Sequence, residues 1–430
     1  MLLQRLGCWH LRLPMLLLSN LPQHDRNSYI RVKKAPFHLK NKYVHPGKGR
    51  LLPRNYRPQK TSFRKRNLSD MSNRILGLDV ARAYAIFGML IVNFNFCFGF
   101  LQDQSAPGRF LSLFVGNSTA IFIICAGMGV SLLTHRYSSY SREEKASYKS
   151  VILKRSWFLF AIGLLLYNWW PGDILHFYGG YMHIAAFLIF LPKRFFLISA
   201  LAFIAIYHIL LLYIPVDTGL NLATFDYTDF WTIPGFIRNT LYNGWNSIFP
   251  WFAYFALGMW LGRLDWQAPR LKGRLFGTAL VLFLAFEGLR RYSLLYPFEK
   301  PVMDYLHSEY FPPYLPFMVI TASFGVMVIT FCVWLGERWP DSRVLQWLSD
   351  TGKMTLTNYV QHLTLGIVVL QWLSGINYTG LLPTDKVLPP AYILLYATVY
   401  FILSVVFSVL WTKKFKRGPL EMLMRKISNG

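Results

Sequence analysis

Charge is scarce in this chain, and acidic charge above all. Only 15% of its 430 residues are charged, 20 of them Asp or Glu, where a soluble domain carries about 25%. Too few charges to clothe a water-facing surface, with 54% hydrophobic and 17% aromatic residues, point to lipid as the main solvent. Cysteine is sparse as well. Cys97, Cys125 and Cys332 sit inside apolar runs without metal-ligand spacing and read as buried, inert thiols, Cys8 lies in a basic segment, and cysteine usage does not indicate a redox compartment. The sequence holds no phosphate-binding glycine loop and no serine nucleophile motif. No metal is expected.

The net charge of +25 would suit a nucleic-acid binder if it formed one footprint. It does not. Residues 1–70 hold 16 Lys/Arg against Asp25 and Asp70, which is +14, and the remaining +11 falls on alternate connections between apolar runs. That is a membrane-topology signal, and no nucleic-acid partner is expected. Residues 1–70 lack a persistent apolar face and read as a disordered basic segment, or as sequence upstream of a start at Met71. Residues 71–430 read as one membrane domain.

From Asp79 onward, apolar runs of the length needed to cross roughly 30 Å of hydrocarbon recur. The expected spans are 80–101, 110–134, 151–170, 173–192, 195–215, 246–263, 274–292, 314–336, 354–376 and 391–411. The expected fold is therefore an all-α, polytopic bundle of about ten transmembrane helices. The strongly basic connections (Arg142 to Arg155, Lys193-Arg194, Arg263 to Arg274, the tail from Lys413) fall on one side. The 216–245 connection instead carries Asp217, Asp226 and Asp229 against Arg238. Both termini are then cytoplasmic, and the bilayer of a cell inner membrane is the expected environment.

Ionisable and amide groups inside spans are functional candidates. Asp79 and Arg82, spaced i, i+3, can pair on one face at the edge of the first span, with Asn93 three turns deeper on nearly the same face. The alternative is that Arg82 is a topology anchor and Asp79 its partner. In Trp169-Trp-Pro-Gly-Asp173-Ile-Leu-His176, followed by His183, a carboxylate can orient an imidazole as a general base. Asp173 could equally cap a helix N-terminus. In the ninth span Thr355, Asn358 and His362 share a stripe, for catalysis or as interhelical hydrogen-bond glue. Glu287 with Arg290 and Arg291 reads as a self-satisfied cluster, and His208 as structural.

Three stretches carry a resemblance. GLDVARAYAIFGMLIVN, Gly172-Asp-Ile-Leu175, and the pair Leu356-Thr-Asn-Tyr359 with Trp411 to Arg425 resemble the YeiB-like membrane proteins, over residues 74–427. Those are similar to a superfamily of transmembrane acyltransferases that includes the acyltransferase-three enzymes and heparan-alpha-glucosaminide N-acetyltransferase. The run Asn246 to Arg263 resembles a helix of the latter. The resemblance implies an acyltransferase-like enzyme with acetyl-CoA or another acyl-CoA as co-substrate and an extracytoplasmic saccharide or envelope acceptor. It puts Asp79 and Arg82 near the CoA entrance and Asn93 in the catalytic chamber. Residues 94–134 contain no His, a departure from the superfamily that leaves the base to another helix: His176 or His183, the latter preferred, oriented by Asp173, with Asn358 and His362 closing the chamber. A small-metabolite permease lined by the same residues is the alternative, and a homodimer stays open.

Overall fold

The computed structural model describes residues 75–134, 139–221, 224–381 and 387–429. The expected basic segment 1–70 lies outside them. In chain order the helices are α1 Leu76–Phe98, α2 Ala106–Ser112, α3 Asn117–Leu133, α4 Arg142–Tyr167, α5 Leu175–Leu188 and α6 Arg194–Tyr213. A two-residue antiparallel pair, β1 Leu220–Asn221 with β2 Asp226–Tyr227, interrupts them. There follow α7 Ile233–Arg238, a π-turn Asn239–Asn243, α8 Ile248–Leu261, α9 Leu271–Leu295, α10 Lys300–Leu306, α11 Leu315–Arg338 and α12 Arg343–Gly352. The chain ends with α13 Thr355–Gln361, a second π-turn His362–Gly366, α14 Ile367–Ser374, α15 Pro390–Phe415 and α16 Pro419–Asn429.

Every expected apolar run is helical, but among the described residues six helical segments are long and apolar enough to cross a membrane: Leu76–Phe98, Ala106–Leu133, Arg142–Tyr167, Arg194–Tyr213, Leu315–Arg338 and Pro390–Phe415. The other four fall short for separate reasons. α5 and α8 have only 14 residues each. α9 has 25 but is interrupted by Glu287, which pairs with Arg290 at 3.2 Å and Arg291 at 2.9 Å. The run 354–376 is divided by its π-turn into α13 and α14.

α1 is the central post, packed by α3, α11, α12 and α15. Its residues are apolar and often small (Ala81, Ala83, Ala85 and Gly88 are all buried), so neighbouring backbones come close. Lipid tails are as apolar as leucine, and helix association in a bilayer therefore depends on such close packing and on polar contacts. The α3–α8 crossing shows it: a methyl on Gly127 would strike the Phe255 carbonyl, and one on Gly258 the Ile124 carbonyl. At one end of that crossing Arg263 donates to the Thr134 carbonyl at 2.5 Å and the Ile189 carbonyl at 2.7 Å. A residue expected only as a basic loop anchor thus also satisfies carbonyls at two helix ends.

The outer faces of α6, α9 and α15 are apolar and bare: Leu201, Leu212, Val281, Leu284, Leu395, Leu403 and Leu410 are all exposed. An apolar girdle of this extent is uncommon on a soluble monomer and is what lipid contact requires. Leu403, near the middle of α15, tests this. Leu403→Arg is expected to cost about 3 kcal/mol of membrane insertion, as for arginine at the centre of a span. A glycosylation-mapping insertion assay reads it; equal insertion of variant and wild type contradicts a lipid-facing α15.

Candidate active site

His362 opens the second π-turn and is fully buried. Its Nδ1 lies 3.2 Å from the Asn358 carbonyl. A carbonyl only accepts, so the neutral ring carries its proton on Nδ1. That leaves the Nε2 lone pair as an acceptor, and Asn93 on α1 fills it: Asn93 Nδ2 lies 2.9 Å from His362 Nε2. The two residues are 269 positions apart in sequence. An imidazole, which residues 94–134 lack, is here brought to Asn93 by the π-turn that follows α13.

A π-turn shifts the helix ladder by a residue and releases carbonyls, a cost within an apolar bundle unless neighbours take them up. Here they do. Tyr396 donates to the Gly366 carbonyl at 2.7 Å, Tyr400 to the Gln361 carbonyl at 3.2 Å, and Trp169 Nε1 to the Leu363 carbonyl at 2.7 Å. Two tyrosines of α15 and one tryptophan before α5 thus hold the wide turn that presents His362.

The second cluster joins the first through Tyr359, one turn before His362. Its ring packs against the imidazole at 5.3 Å between centroids. Its hydroxyl donates to Asp173 Oδ1 at 3.4 Å and accepts from Ile174 N at 3.2 Å. Asp173 Oδ2 accepts from the His176 backbone at 3.1 Å and lies 3.2 Å from His176 Nδ1. The carboxylate therefore accepts from the first turn of α5 and holds the imidazole at once. Asp173 and His176 have no solvent exposure, and His176 Nε2 has no hydrogen-bond partner. Tyr167, Phe177 and Phe230 surround the ring, with Phe230 reaching in from the 214–247 connection and stacking on Tyr167 at 3.4 Å. Gly163 makes room: a side chain there would meet His176 N and Asp173 Oδ2.

His183, the expected base, is placed elsewhere. It sits half-buried on the α4–α5 seam with Nδ1 3.5 Å from Ser156 Oγ, its ring against Trp157 and Phe187, both exposed to the outside of the bundle. The seven-residue step from His176 overshoots the inward face, and the structure does not bring it to Asn93 or His362. Asn358 acts through its backbone on His362, while its side chain donates to the Thr351 carbonyl at 3.3 Å and Ser408 Oγ at 3.4 Å. Arg82 pairs with Asp79 at 2.9 Å and donates to the Cys125 carbonyl at 3.2 Å. It keeps a partly exposed guanidinium over Gly129, three turns from Asn93. Among the described residues no group of His, Cys, Asp and Glu forms a metal cluster.

One residue absent from the sequence-based site braces α13 from below. Glu421 on α16 accepts from Leu356 N at 2.7 Å, Thr357 N at 3.2 Å and Thr357 Oγ1 at 2.6 Å, an N-terminal cap supplied from 64 residues away. Burial holds its carboxyl above the ordinary range, although the Thr357 and Leu356 donors pull it down. The cap thus joins the Leu356-Thr-Asn-Tyr359 stretch to the C-terminal segment in space.

Residues 74–301 match the family described as heparan-alpha-glucosaminide N-acetyltransferase, catalytic, and residues 259–430 match a protein family of unknown function, DUF418. No curated protein and no solved structure matches. The architecture and the paired polar clusters define a multi-pass membrane protein of acetyltransferase-like type. The chain belongs to the family of the heparan-alpha-glucosaminide N-acetyltransferase catalytic domain, whose match covers more than half of it, and its C-terminal part is similar to the YeiB-like DUF418 proteins.

The Glu421 cap is testable apart from catalysis. Glu421→Ala leaves two buried N–H groups of α13 without an acceptor, an expected cost of about 1–3 kcal/mol. Thermal unfolding of the detergent-solubilised full chain measures it. Unchanged stability would remove the cap from the account.

Proposed function

We propose that the chain is a membrane-embedded acyltransferase, moving an acyl group, acetyl by its family, from cytoplasmic acyl-CoA to an extracytoplasmic saccharide or other envelope acceptor. The observation that carries this reading is the Asn93–His362 pair: a neutral imidazole with its basic nitrogen directed at an amide donor, buried between helices and joined through Tyr359 to Asp173 and His176. The family match supports the acyl-transfer chemistry. The topology that goes with it has ten membrane-crossing segments, both termini in the cytoplasm and residence in the inner membrane, supported by the Lys/Arg asymmetry of the connections.

In this reading acyl-CoA enters beside Arg82, whose guanidinium fork suits phosphate oxygens. The thioester carbonyl takes Asn93 Nδ2–H, which leaves His362 Nε2 for the acceptor. The acceptor hydroxyl or amine attacks the carbonyl carbon and its proton passes to His362 Nε2. The oxyanion that forms is held by the Asn93 amide. As the carbon–sulfur bond breaks, the departing thiolate takes the proton from His362, so the products are acylated acceptor and free CoA thiol. His176 Nε2, buried and without a partner, is free to hydrogen-bond the acceptor, while Asp173 keeps its ring in place.

Transfer of labelled acetyl from acetyl-CoA to saccharide in envelope membranes is the test. His362→Ala is expected to lose 10²–10⁴-fold, the span of general-base contributions, and Asn93→Ala roughly 10²–10³-fold as for an oxyanion donor. His176→Ala is expected to raise KM for the acceptor more than it lowers kcat. A His362→Ala protein that retains the full rate overturns the assignment, and a wild-type protein that moves a metabolite without acyl transfer returns the chain to the permease class.

A further inference from the structure

Tyr178 on α5 takes no part in the chemistry set out above. It stands two residues after His176 and so projects from nearly the opposite side of the helix, toward Phe122 of α3. The side chain is 4% exposed, and among the described residues its hydroxyl has no hydrogen-bond partner. A hydroxyl that gives up its bonds to water and gains none in the bundle costs free energy. The hydroxyls near it, those of Tyr181, Tyr310 and Tyr359, are engaged elsewhere. Tyr181 donates to the Asn246 carbonyl, Tyr310 to Thr119 Oγ1 at 3.4 Å, and Tyr359 to Asp173.

Position separates this hydroxyl from other unpartnered ones. Tyr207 is as deeply buried and as bare, but it lies on α6 against His208 and Tyr242. Tyr178 lies between the two ends of the path proposed for the acyl donor. On one side it is near Cys125, whose carbonyl accepts from Arg82. On the other, Tyr178 and Tyr359 both pack on the Phe122 ring, at 5.4 Å and 6.3 Å between centroids, and Tyr359 packs on His362. An acyl-CoA with its phosphates at Arg82 and its carbonyl at Asn93 has its thioester sulfur on the Arg82 side of the carbonyl carbon, the side on which Tyr178 stands. Given the acyl-transfer reading, on which this rests, we infer that the Tyr178 hydroxyl is a further catalytic group, a hydrogen-bond donor to the thioester sulfur that holds the thiolate as it departs. The carbon–sulfur bond breaks with its electron pair on sulfur, and the proton that sulfur takes comes from His362. Tyr178 keeps its own proton, since a phenol is a weaker acid than an alkyl thiol. The hydrogen bond strengthens as charge develops on sulfur, so it acts in the transition state more than in the bound substrate.

Tyr178→Phe removes one oxygen and leaves the ring. Acetyl transfer from acetyl-CoA in envelope membranes and thermal unfolding of the purified full chain are read together. The expected kcat is lower by roughly tenfold or more, as for loss of a hydrogen bond to a charged group, with KM for the acceptor little changed. The expected unfolding temperature equals or exceeds that of the wild type, because the variant no longer buries an unpaired hydroxyl. Tyr181→Phe is the counterpart: it strands the Asn246 carbonyl, so a lower unfolding temperature with kcat retained is expected. Wild-type kcat in Tyr178→Phe, with His362→Ala inactive, overturns the inference and leaves the acyl-transfer reading standing. A lowered unfolding temperature in Tyr178→Phe, or an equal loss of kcat in Tyr181→Phe, assigns the hydroxyl to packing and overturns it as well. A wild type that transfers no acetyl overturns the reading and the inference together.

Discussion

The hydrogen bond between Asn93 and His362 depends on a defect in a helix, and much of the bundle is arranged around keeping that defect satisfied. A regular helix through residues 354–376 would leave no carbonyls for Tyr396, Tyr400 and Trp169 to bond. With the π-turn in place those three donors become obligatory, because an unpaired backbone group in an apolar setting costs several kcal/mol. They come from α15 and from the turn before α5. Glu421 then fixes the other end of α13, so the helix carrying His362 is held above and below by polar side chains rather than by continuity with a long span.

This arrangement also sets what the sequence could and could not disclose. Apolar runs located the long helices, since length and composition are local properties, while the short α7, α10, α12 and α16 fall outside the expected spans. Whether a run is continuous is not local: the break at His362 is maintained by residues some 30 positions away on α15, and nothing in the run itself marks it. The i, i+3 pairs Asp79–Arg82 and Asp173–His176 were legible because both members lie on one helix turn. The Asn93–His362 bond and the Glu421 cap join distant segments, and a single sequence offers no measure of such proximity. Tyr359 entered only as part of the Leu356-Thr-Asn-Tyr359 stretch, because its bonds to Asp173 and Ile174 also join distant segments.

His183 shows the limit of a face argument. Two histidines seven apart share a helix face on average, yet a buried face is only as wide as the neighbours covering it. α4 covers His176 fully through Gly163 and Tyr167, and then presents Ser156 and the outward-turned Trp157 to His183. The same stripe passes from core to periphery within two turns.

The choice of a neutral pair at the centre follows from depth. Arg82 and Asn93 are eleven residues apart on α1, roughly 16 Å along the axis at 1.5 Å per residue, about half of a 30 Å hydrocarbon layer. At the edge a charged pair such as Asp79–Arg82 retains contact with water, and Arg82 is partly exposed. Near the middle a permanent charge costs several kcal/mol. Asn93 and a δ-protonated His362 supply a hydrogen-bond donor and a basic nitrogen while carrying no charge until a proton moves. The buried carboxylate of the site, Asp173, is placed instead at a helix start, where a backbone N–H, an imidazole and the Tyr359 hydroxyl surround it. Charge is thus confined to positions where donors converge, and the deepest position is left to an amide and a neutral imidazole.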